Sequence, residues 1–258
     1  MSAYHNEIEP YAAQWLRNLI KAGHIADGIV DTRSIEDVLP SDLAGFTQCH
    51  FFAGIGVWSH ALRGAGWSDD RPVWTGSCPC QPFSAAGKGA GFADERHLWP
   101  AWHHLIEECR PAIVFGEQVG TAVANGWLDL VAQDLEASEY AFGAAGLPAG
   151  AVGADHKRDR LFFVADSDKN TIRWITGAAP NEKGAIVWGE EPESDRLGFG
   201  RPSILRGSDG LARQVPESCF PLLVASSPTG LAQLGAFGNA IDARAAQAFI
   251  EAVMECQP

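Results

Sequence analysis

Apolar positions over the first 166 residues repeat one unit: a short buried run, a glycine or proline break, then apolar residues at helical spacing. Residues 6–8 end a short strand. Pro10 suits a helix's first turn, and Ala12, Trp15, Leu16, Leu19 and Ile20 recur at helical spacing up to Gly23. Residues 49–53 form an apolar run that breaks into Gly54-Ile55-Gly56, and a helix over 58–65 follows, stopped by Gly66. Residues 73–75 read as a strand, the glycines at 87, 89 and 91 as a loop able to move, and 98–109 as a helix with Leu98, Trp102, Leu105 and Ile106 inward. Pro111 punctuates, and 112–115 is a buried strand ending at Gly116-Glu117-Gln118. Val123, Trp127, Leu130, Val131 and Leu135 mark another helix, and 161–165 another buried strand.

Strands alternating with helices imply an α/β fold: a parallel, doubly wound, Rossmann-like sheet that binds ligands at the carboxyl ends of its strands. After Asp166 the composition turns to Gly, Ser, Pro and charge without periodicity, so 167–225 reads as a small irregular region. Regularity returns in 241–254, where Ile241, Ala245, Ala248, Phe249 and Val253 share one side of a closing helix. The expected division is an α/β domain over 1–166, the irregular region 167–225, and a segment 226–258 whose helix returns to the first domain.

With 258 residues, 46% of them hydrophobic, the chain can bury one large α/β core. No apolar run reaches the roughly 20 residues that span a bilayer, and the opening MSAYHNEIEP lacks signal-peptide character. The six cysteines show no disulfide-scaffold spacing, which points to reduced thiols in a cytoplasmic setting. No C-x-x-C pair or H-x-x-x-H helix supports a metal site. A net charge of −13 argues against non-specific nucleic-acid binding, but leaves room for the local patch Lys157, Arg158 and Arg160. On charge alone, that patch reads first as a solvated turn before a strand.

Four features fall at strand ends. Phe52-Ala53-Gly54-Ile55-Gly56 is a strand running into a glycine turn, either a close-approach site for a cofactor or a plain tight turn. Cys80 follows a strand and precedes the glycine-rich loop, a place that suits a nucleophile meeting a large substrate; a lone Pro-Cys is otherwise a structural thiol. Glu117 ends a buried strand, where desolvation favours its neutral acid. Arg158-Asp159-Arg160 stands just before the strand 161–165. Thiolate, proton-donating carboxyl and arginine together suit activation of a pyrimidine ring. Carbon 5 of cytosine becomes nucleophilic when a thiolate adds at carbon 6, a glutamic acid engages N3, and an arginine holds O2.

At these residues the chain resembles the DNA cytosine-5 methyltransferases. FAGIG is similar to the family's first motif, PCQPFS to its catalytic motif and EQV to its Glu-Asn-Val motif. HKRDR is similar to Gln-x-Arg-x-Arg, and Gly238-Asn239-Ala240-Ile241 to the closing Gly-Asn-Ser-Val. The resemblance implies Cys80 as nucleophile, Glu117 as the N3 partner, and Arg160 with Arg158 at the cytosine edge. Pro79, Gln81, Ser84, Gln118 and His156 are implied on the substrate side, and Phe52, Ala53, Gly54, Ile55, Gly56, Asn239 and Ala240 around S-adenosyl-L-methionine. Two positions depart: Gln118 replaces the family's Asn, and His156 its Gln, so the hydrogen bonds that brace the loop are expected to differ.

A larger departure is order. The family usually places two acidic cofactor motifs between FAGIG and PCQ, but about two dozen residues separate them here. Their likenesses lie at the N-terminus. Asn6-Glu7-Ile8-Glu9-Pro10-Tyr11-Ala12 resembles the second motif, which implies Glu7 at the ribose and Ile8 beside it. Val30-Asp31-Thr32 resembles the third, whose Asp meets the adenine amino group. Glu7 and Glu9 also suit the start of a helix on their own. The inferred chain order is second, third, first, then catalytic strand, still lying side by side as 3-2-1-4.

The resemblance implies methylation of carbon 5 of cytosine flipped out of duplex DNA, by a monomer in a prokaryotic or phage-infected cytoplasm, as in restriction-modification. Target recognition falls to 167–225, through Arg173, Lys183, Arg196, Arg201 or Arg206, beside the acidic Glu190, Glu191 and Glu193. The alternatives are the same chemistry on tRNA, transfer from methylenetetrahydrofolate, and a catalytically silent DNA-binding homologue. A thiol oxidoreductase fits worst, because Cys78-Pro79-Cys80 lacks the redox spacing.

Overall fold

The computed structural model describes residues 3–79, 98–119, 126–153, 159–168, 203–206, 212–215 and 240–255. Strand β1 (Ala3–Asn6) leads through α1 (Pro10–Lys21) to β2 (Gly28–Asp31). Two short 3-10 turns, Ile35–Asp37 and Pro40–Leu43, carry the chain to β3 (Gln48–Phe51), α2 (Val57–Gly64) and β4 (Val73–Gly76). Then come α3 (Trp99–Cys109), β5 (Ile113–Val119), α4 (Trp127–Ala137), β6 (Ala141–Pro148) and β7 (Asp159–Asp166). The two-stranded pair β8 (Ser203–Arg206) and β9 (Ala212–Val215) lies within the irregular region, and α5 (Ala243–Glu255) closes the chain. Among the described residues no helix is long and apolar enough to cross a membrane.

Local chemistry sets these elements. Pro10 opens α1, where its missing N–H costs nothing, and the Glu9 carboxylate caps the helix by accepting the Ala12 N–H at 2.7 Å. Asp242 does the same for α5, accepting from the backbone of Arg244 and Ala245 at 2.9 and 3.1 Å. Gly23, past the end of α1, takes a φ of 73° that other residues resist.

Seven strands form one sheet in the order β2-β1-β3-β4-β5-β7-β6. The first five are parallel, with His5 paired to His50, His50 to Thr75, and Thr75 to Phe115. The expected 3-2-1-4 arrangement is therefore present, with β2, β1 and β3 as third, second and first strands. The sheet is not wholly parallel, as the sequence suggested. β7 runs antiparallel between β5 and β6. β6 escaped prediction because Ala141–Pro148 holds small residues and glycines, and none of its side chains is fully buried. The long β5–β7 ladder, pairing Ile113 with Asp166 through to Val119 with Arg160, also extends both strands beyond their apolar cores. Glu117 and Arg160 consequently lie within strands, not at or before their ends.

Two cores flank the sheet. Trp99, Trp102, Leu105, Ile106, Trp127 and Val131 pack on Phe51, Trp74, Val114 and Phe163 on one face. Trp58, Leu62, Phe249 and Ile250 cover Phe115, Phe162 and Val164 on the other. Side-chain size controls the first face near the crevice. A Cβ on Gly76 would sit 2.6 Å from the Trp102 ring, and one on Gly116 would sit 2.0 Å from Phe163, so paired glycines admit two aromatic rings. α1 lies beside α2 on the second face, where the Ser59 hydroxyl accepts the Ala26 N–H at 3.0 Å. Yet β1–α1–β2 and β3–α2–β4 step across the sheet in opposite directions. Two parallel crossovers on one face in opposite directions have opposite hands. β4–α3–β5 steps in the same direction as α2 but on the opposite face, so it shares the hand of α1. The α2 crossover is thus the odd one, left-handed by the usual rule.

A buried histidine pair on the α1–α2 face makes the fold acid-sensitive. His5 and His50 stack at 4.8 Å between ring centroids, and His50 Nδ1 lies 2.8 Å from the Thr75 hydroxyl. Burial holds His5 at about 4 against an ordinary 6.5, and burial then the neighbouring His5 keep His50 well below 6.5. The unfolded chain takes up these protons near pH 6.5, whereas folded His5 does so only near 4. Stability is therefore whole above pH 6.5 and falls as pH drops towards 4. The His5 contribution is roughly 3 kcal/mol. Urea unfolding across this range should show the loss, and His5→Leu should flatten it. Glu7, whose carboxyl is raised by burial, offsets part of the loss, while Asp31, held at about 2, acts only in stronger acid.

Candidate active site

The parallel strands deliver their following loops to one edge of the sheet. Past β1, Glu7 turns its carboxylate across to the glycine turn that follows β3. Its Oε2 accepts the Gly54 N–H at 2.6 Å, and its Oε1 accepts the Glu9 N–H at 2.9 Å. Burial pushes this carboxyl above its usual range, opposing the two N–H donors that lower it. Each oxygen keeps a lone pair for a further donor. Phe52 and Gly54 hold φ values of 50° and 54°, Gly56 one of 83°, and a Cβ at Gly54 would meet open space. Ala53 is buried and Ile55 half-buried. Ile8 is 64% exposed, a large apolar side chain presented beside the carboxylate. A carboxylate with spare acceptors, an exposed apolar side chain and an approachable backbone fit an adenosyl group.

Asp31, at the end of β2, is differently engaged. Its oxygens accept the Tyr4 hydroxyl at 2.7 Å, the Arg33 backbone N–H at 2.9 Å and the Arg33 guanidinium at 2.6 Å, and Arg33 also reaches Asp42 at 2.8 Å. Desolvation works against its charged form, but these Arg33 and Tyr4 contacts prevail and draw the carboxyl down to about 2. Asp31 thus ties down the connection that crosses to β3, and the exposed Thr32 follows it.

The acid–arginine pair meets across the antiparallel ladder. Glu117 is 6% exposed, and its Oε1 lies 2.6 Å from Arg160 Nε. Glu117 pairs in register with Phe162, which places Arg160 diagonally across on the same face. A salt bridge this close is strongly charge-assisted. Gln118 ties β5 to the segment that follows β4. Its Nε2 donates to the Cys78 carbonyl at 3.2 Å, and its Oε1 accepts the Val119 N–H at 2.9 Å. Pro79 follows at the last described position of this segment. Cys80, Gln81, Ser84, His156, Arg158 and Asn239 lie outside the described residues, as do Arg173, Lys183, Glu190, Glu191, Glu193, Arg196 and Arg201. Ala240, half-buried, precedes α5.

Structure thus brings Glu7 to the glycine turn and Glu117 to Arg160, and ties Gln118 to the chain two residues before Cys80. Sequence reading missed Tyr4 and Arg33, the partners of Asp31. The Asp-x-Arg spacing at 31–33 was the available signal, because an Arg two residues on can fold back onto an Asp.

Residues 68–187 match the family described as C-5 cytosine-specific DNA methylase. No curated protein matches the chain in sequence. Among solved structures, the Entamoeba histolytica methyltransferase EhMeth is similar with a TM-score of 0.58 at 10% identity, over 98% of this chain and 89% of that one. The S. pombe Dnmt2 methyltransferase is similar with a TM-score of 0.51 at 13% identity, over 99% of both chains. A Spodoptera frugiperda DNMT2 mutant matches 64% of this chain at 15% identity and a TM-score of 0.44; the match spans only 42% of that protein's length. At such identities the likeness is one of fold, and the fold is that of a methyltransferase.

Glu117→Gln should cost stability, because it leaves the Arg160 guanidinium, 19% exposed, without its charged partner. The loss is expected at roughly 3 kcal/mol, and urea unfolding at pH 7 measures it. Arg160→Lys, which keeps the charge but loses the planar fork, should lose less than half as much.

Proposed function

We propose that this chain, a relative of the C-5 cytosine-specific DNA methylases over residues 68–187, methylates carbon 5 of cytosine in DNA through a covalent bond from Cys80. The observation that carries the reading is the Glu117–Arg160 pair, at 2.6 Å: Glu117 is on β5, beside the strand that leads to Cys80, and Arg160 is on β7, the next strand over. Carboxyl and guanidinium are the two groups that cytosine's N3 and O2 require, and here they sit within one hydrogen bond of each other.

S-adenosyl-L-methionine is the cofactor of this reading: Glu7, Ile8 and the turn Phe52–Gly56 would hold it, and it supplies an electrophilic methyl group to carbon 5. The chain's own residues do the rest. The Cys80 thiolate adds to carbon 6, and the ring electrons displaced by that bond give carbon 5 its nucleophilicity. Glu117 hydrogen-bonds N3 and draws electron density the same way, while Arg160, with Arg158, holds O2. Loss of the carbon-5 proton then returns the electron pair that expels the Cys80 thiolate. A base must leave its stack to present carbon 6, which costs a few kcal/mol. Residues 167–225 are assigned target recognition, with Pro79, Gln81, Ser84 and His156 on the substrate side. The −13 net charge favours a short recognition sequence over broad non-specific affinity.

Duplex DNA carrying 5-fluorocytosine, incubated with the tritiated cofactor, tests this directly, because fluorine cannot leave as a proton does. A tritiated protein–DNA adduct that Cys80→Ala abolishes is expected. Transfer to tRNA but not DNA would move the substrate to RNA, and no adduct from a folded, DNA-bound protein would leave a silent homologue. Glu7→Ala should weaken S-adenosylhomocysteine binding at least about tenfold by calorimetry, and unchanged affinity would exclude Glu7 from the cofactor site.

A further inference from the structure

One side chain contacts the strands of Glu117 and Arg160 and the segment that leads to Cys80 without being one of the site's chemical groups. Trp58 stands in the first turn of α2, two residues after Gly56. Its ring is 3% exposed, stacked on Phe115 at 6.2 Å and set edge-on to Phe162 at 6.0 Å. Phe115 lies two residues before Glu117 on β5, and Phe162 two residues after Arg160 on β7. The remaining polar atom of the ring, Nε1, donates to the Ser77 hydroxyl at 3.0 Å. Ser77 is the first residue past β4 and stands three before Cys80 in sequence.

We propose that the Trp58–Ser77 hydrogen bond is a positioning clamp, through which the helix behind the cofactor turn sets the chain that carries the nucleophile. Trp58 is a positioning residue and touches no substrate. The inference rests on the reading of Cys80 as nucleophile, and it extends that reading to a residue that no motif contains.

Three arguments carry it. The ring is fixed by aromatic neighbours on two strands, so its N–H has one direction and loses little entropy in bonding. Ser77 is also flanked by restraints. Gly76 abuts the Trp102 ring, and the Cys78 carbonyl is held by Gln118, so the hydroxyl of Ser77 completes a run of three consecutive anchored residues. Finally, α2 joins β3 to β4 with no intervening strand, so the glycine turn enters α2 and the segment leading to Cys80 leaves β4 within a single βαβ unit. A shift of the turn at the N-terminus of α2 carries Trp58 with it, and hence Ser77.

The test removes the bond from either side. Trp58→Phe keeps an aromatic ring and loses the N–H, Ser77→Ala loses only the acceptor, and Ser77→Thr restores a hydroxyl. The first readout needs neither cofactor nor DNA: the rate at which iodoacetamide alkylates Cys80 in the full chain, followed peptide by peptide so that the other five cysteines serve as internal references. Each single variant should change the Cys80 rate at least about threefold. The double variant should change it no further, the signature of one shared interaction, and Ser77→Thr should return it to the wild-type value. The second readout is adduct formation on 5-fluorocytosine duplex, where the rate of adduct formation at saturating cofactor should fall about tenfold and the cofactor concentration giving half that rate should stay within about twofold. An unchanged Cys80 rate in Ser77→Ala, or effects of the two variants that simply add, would overturn the clamp. A wild-type protein that makes no adduct, but whose Cys80 rate responds as described, would overturn the proposed reaction and leave the clamp standing.

Discussion

The parallel hydrogen bonding of β1 to β3 is the constraint on which the site depends. These strands are separated in sequence by α1, β2 and a long connection, yet their registers match from Ala3 and Gln48 to His5 and His50. Their carboxyl ends therefore finish level, and Glu7 can reach the Gly54 N–H across 47 residues of sequence. Slip β1 by one residue and Glu7 would turn to the other face of the sheet. The contact between Glu7 and the glycine turn is thus a product of pairing, and chain order enters only through the loops that connect the pairs.

That freedom has a topological cost. Placing β3 directly before β4 in the chain obliges α2 to return to a neighbour on the side opposite to that taken by α1, while staying on the face it shares with α1. The resulting odd-handed crossover is rare because a twisted strand feeds a right-handed connection more readily. Here the packing compensates locally. α2 buries Trp58, Ala61 and Leu62 against β5, β7 and α5, and Arg63 ties its far end to Asp69 at 2.6 Å and to the Gly23 carbonyl at 2.7 Å. The connection from β2 to β3 is similarly pinned by Asp31, Arg33 and Asp42. Ion pairs and caps gather where the altered connections run.

This reordering also explains what could be read from the sequence. The alternation of buried runs and helical faces gave the α/β class, β1, β3, β4, β5 and β7, and all five described helices to within a few residues, because buried strands and amphipathic helices are the patterns that burial writes most clearly. β2 was legible only through the likeness of VDT to a family motif. The rearranged 3-2-1-4 order was legible because NEIEP and VDT kept their characters after moving. β6 was not legible: an edge strand with small, half-buried side chains carries no hydrophobic period. The antiparallel direction of β7 was hidden as well, since register and direction depend on partners that a buried run does not name. At the site, Glu117 and Arg160 were legible as residue types, but their contact came from a diagonal across a ladder. Asp31 illustrates the converse. Its motif matched, whereas its hydrogen bonds go to Tyr4 and Arg33, because a guanidinium two residues away outcompetes distant partners. The family match begins at Ser68, after β1, β2 and β3, as expected if a linear pattern loses track where the order changes.

The Glu117–Arg160 pair shows how such a site stays folded without its substrate. A buried carboxylate and a largely covered guanidinium each carry a desolvation penalty when left alone. Facing each other at 2.6 Å, they neutralise that penalty within the sheet. Under the proposed reaction a cytosine offers both groups an alternative: an N3 that accepts or shares a proton with the carboxyl, and an O2 that accepts from the guanidinium. Exchange of one partner for another is less costly than creating either charge in a dry pocket. The same exchange would make the pair selective, because a protonated Glu117 donates to the acceptor N3 of cytosine, whereas thymine presents an N3–H donor there and offers that proton no acceptor. Preorganisation here lies in the strands: the ladder that sets Glu117 diagonal to Arg160 is complete before any base arrives.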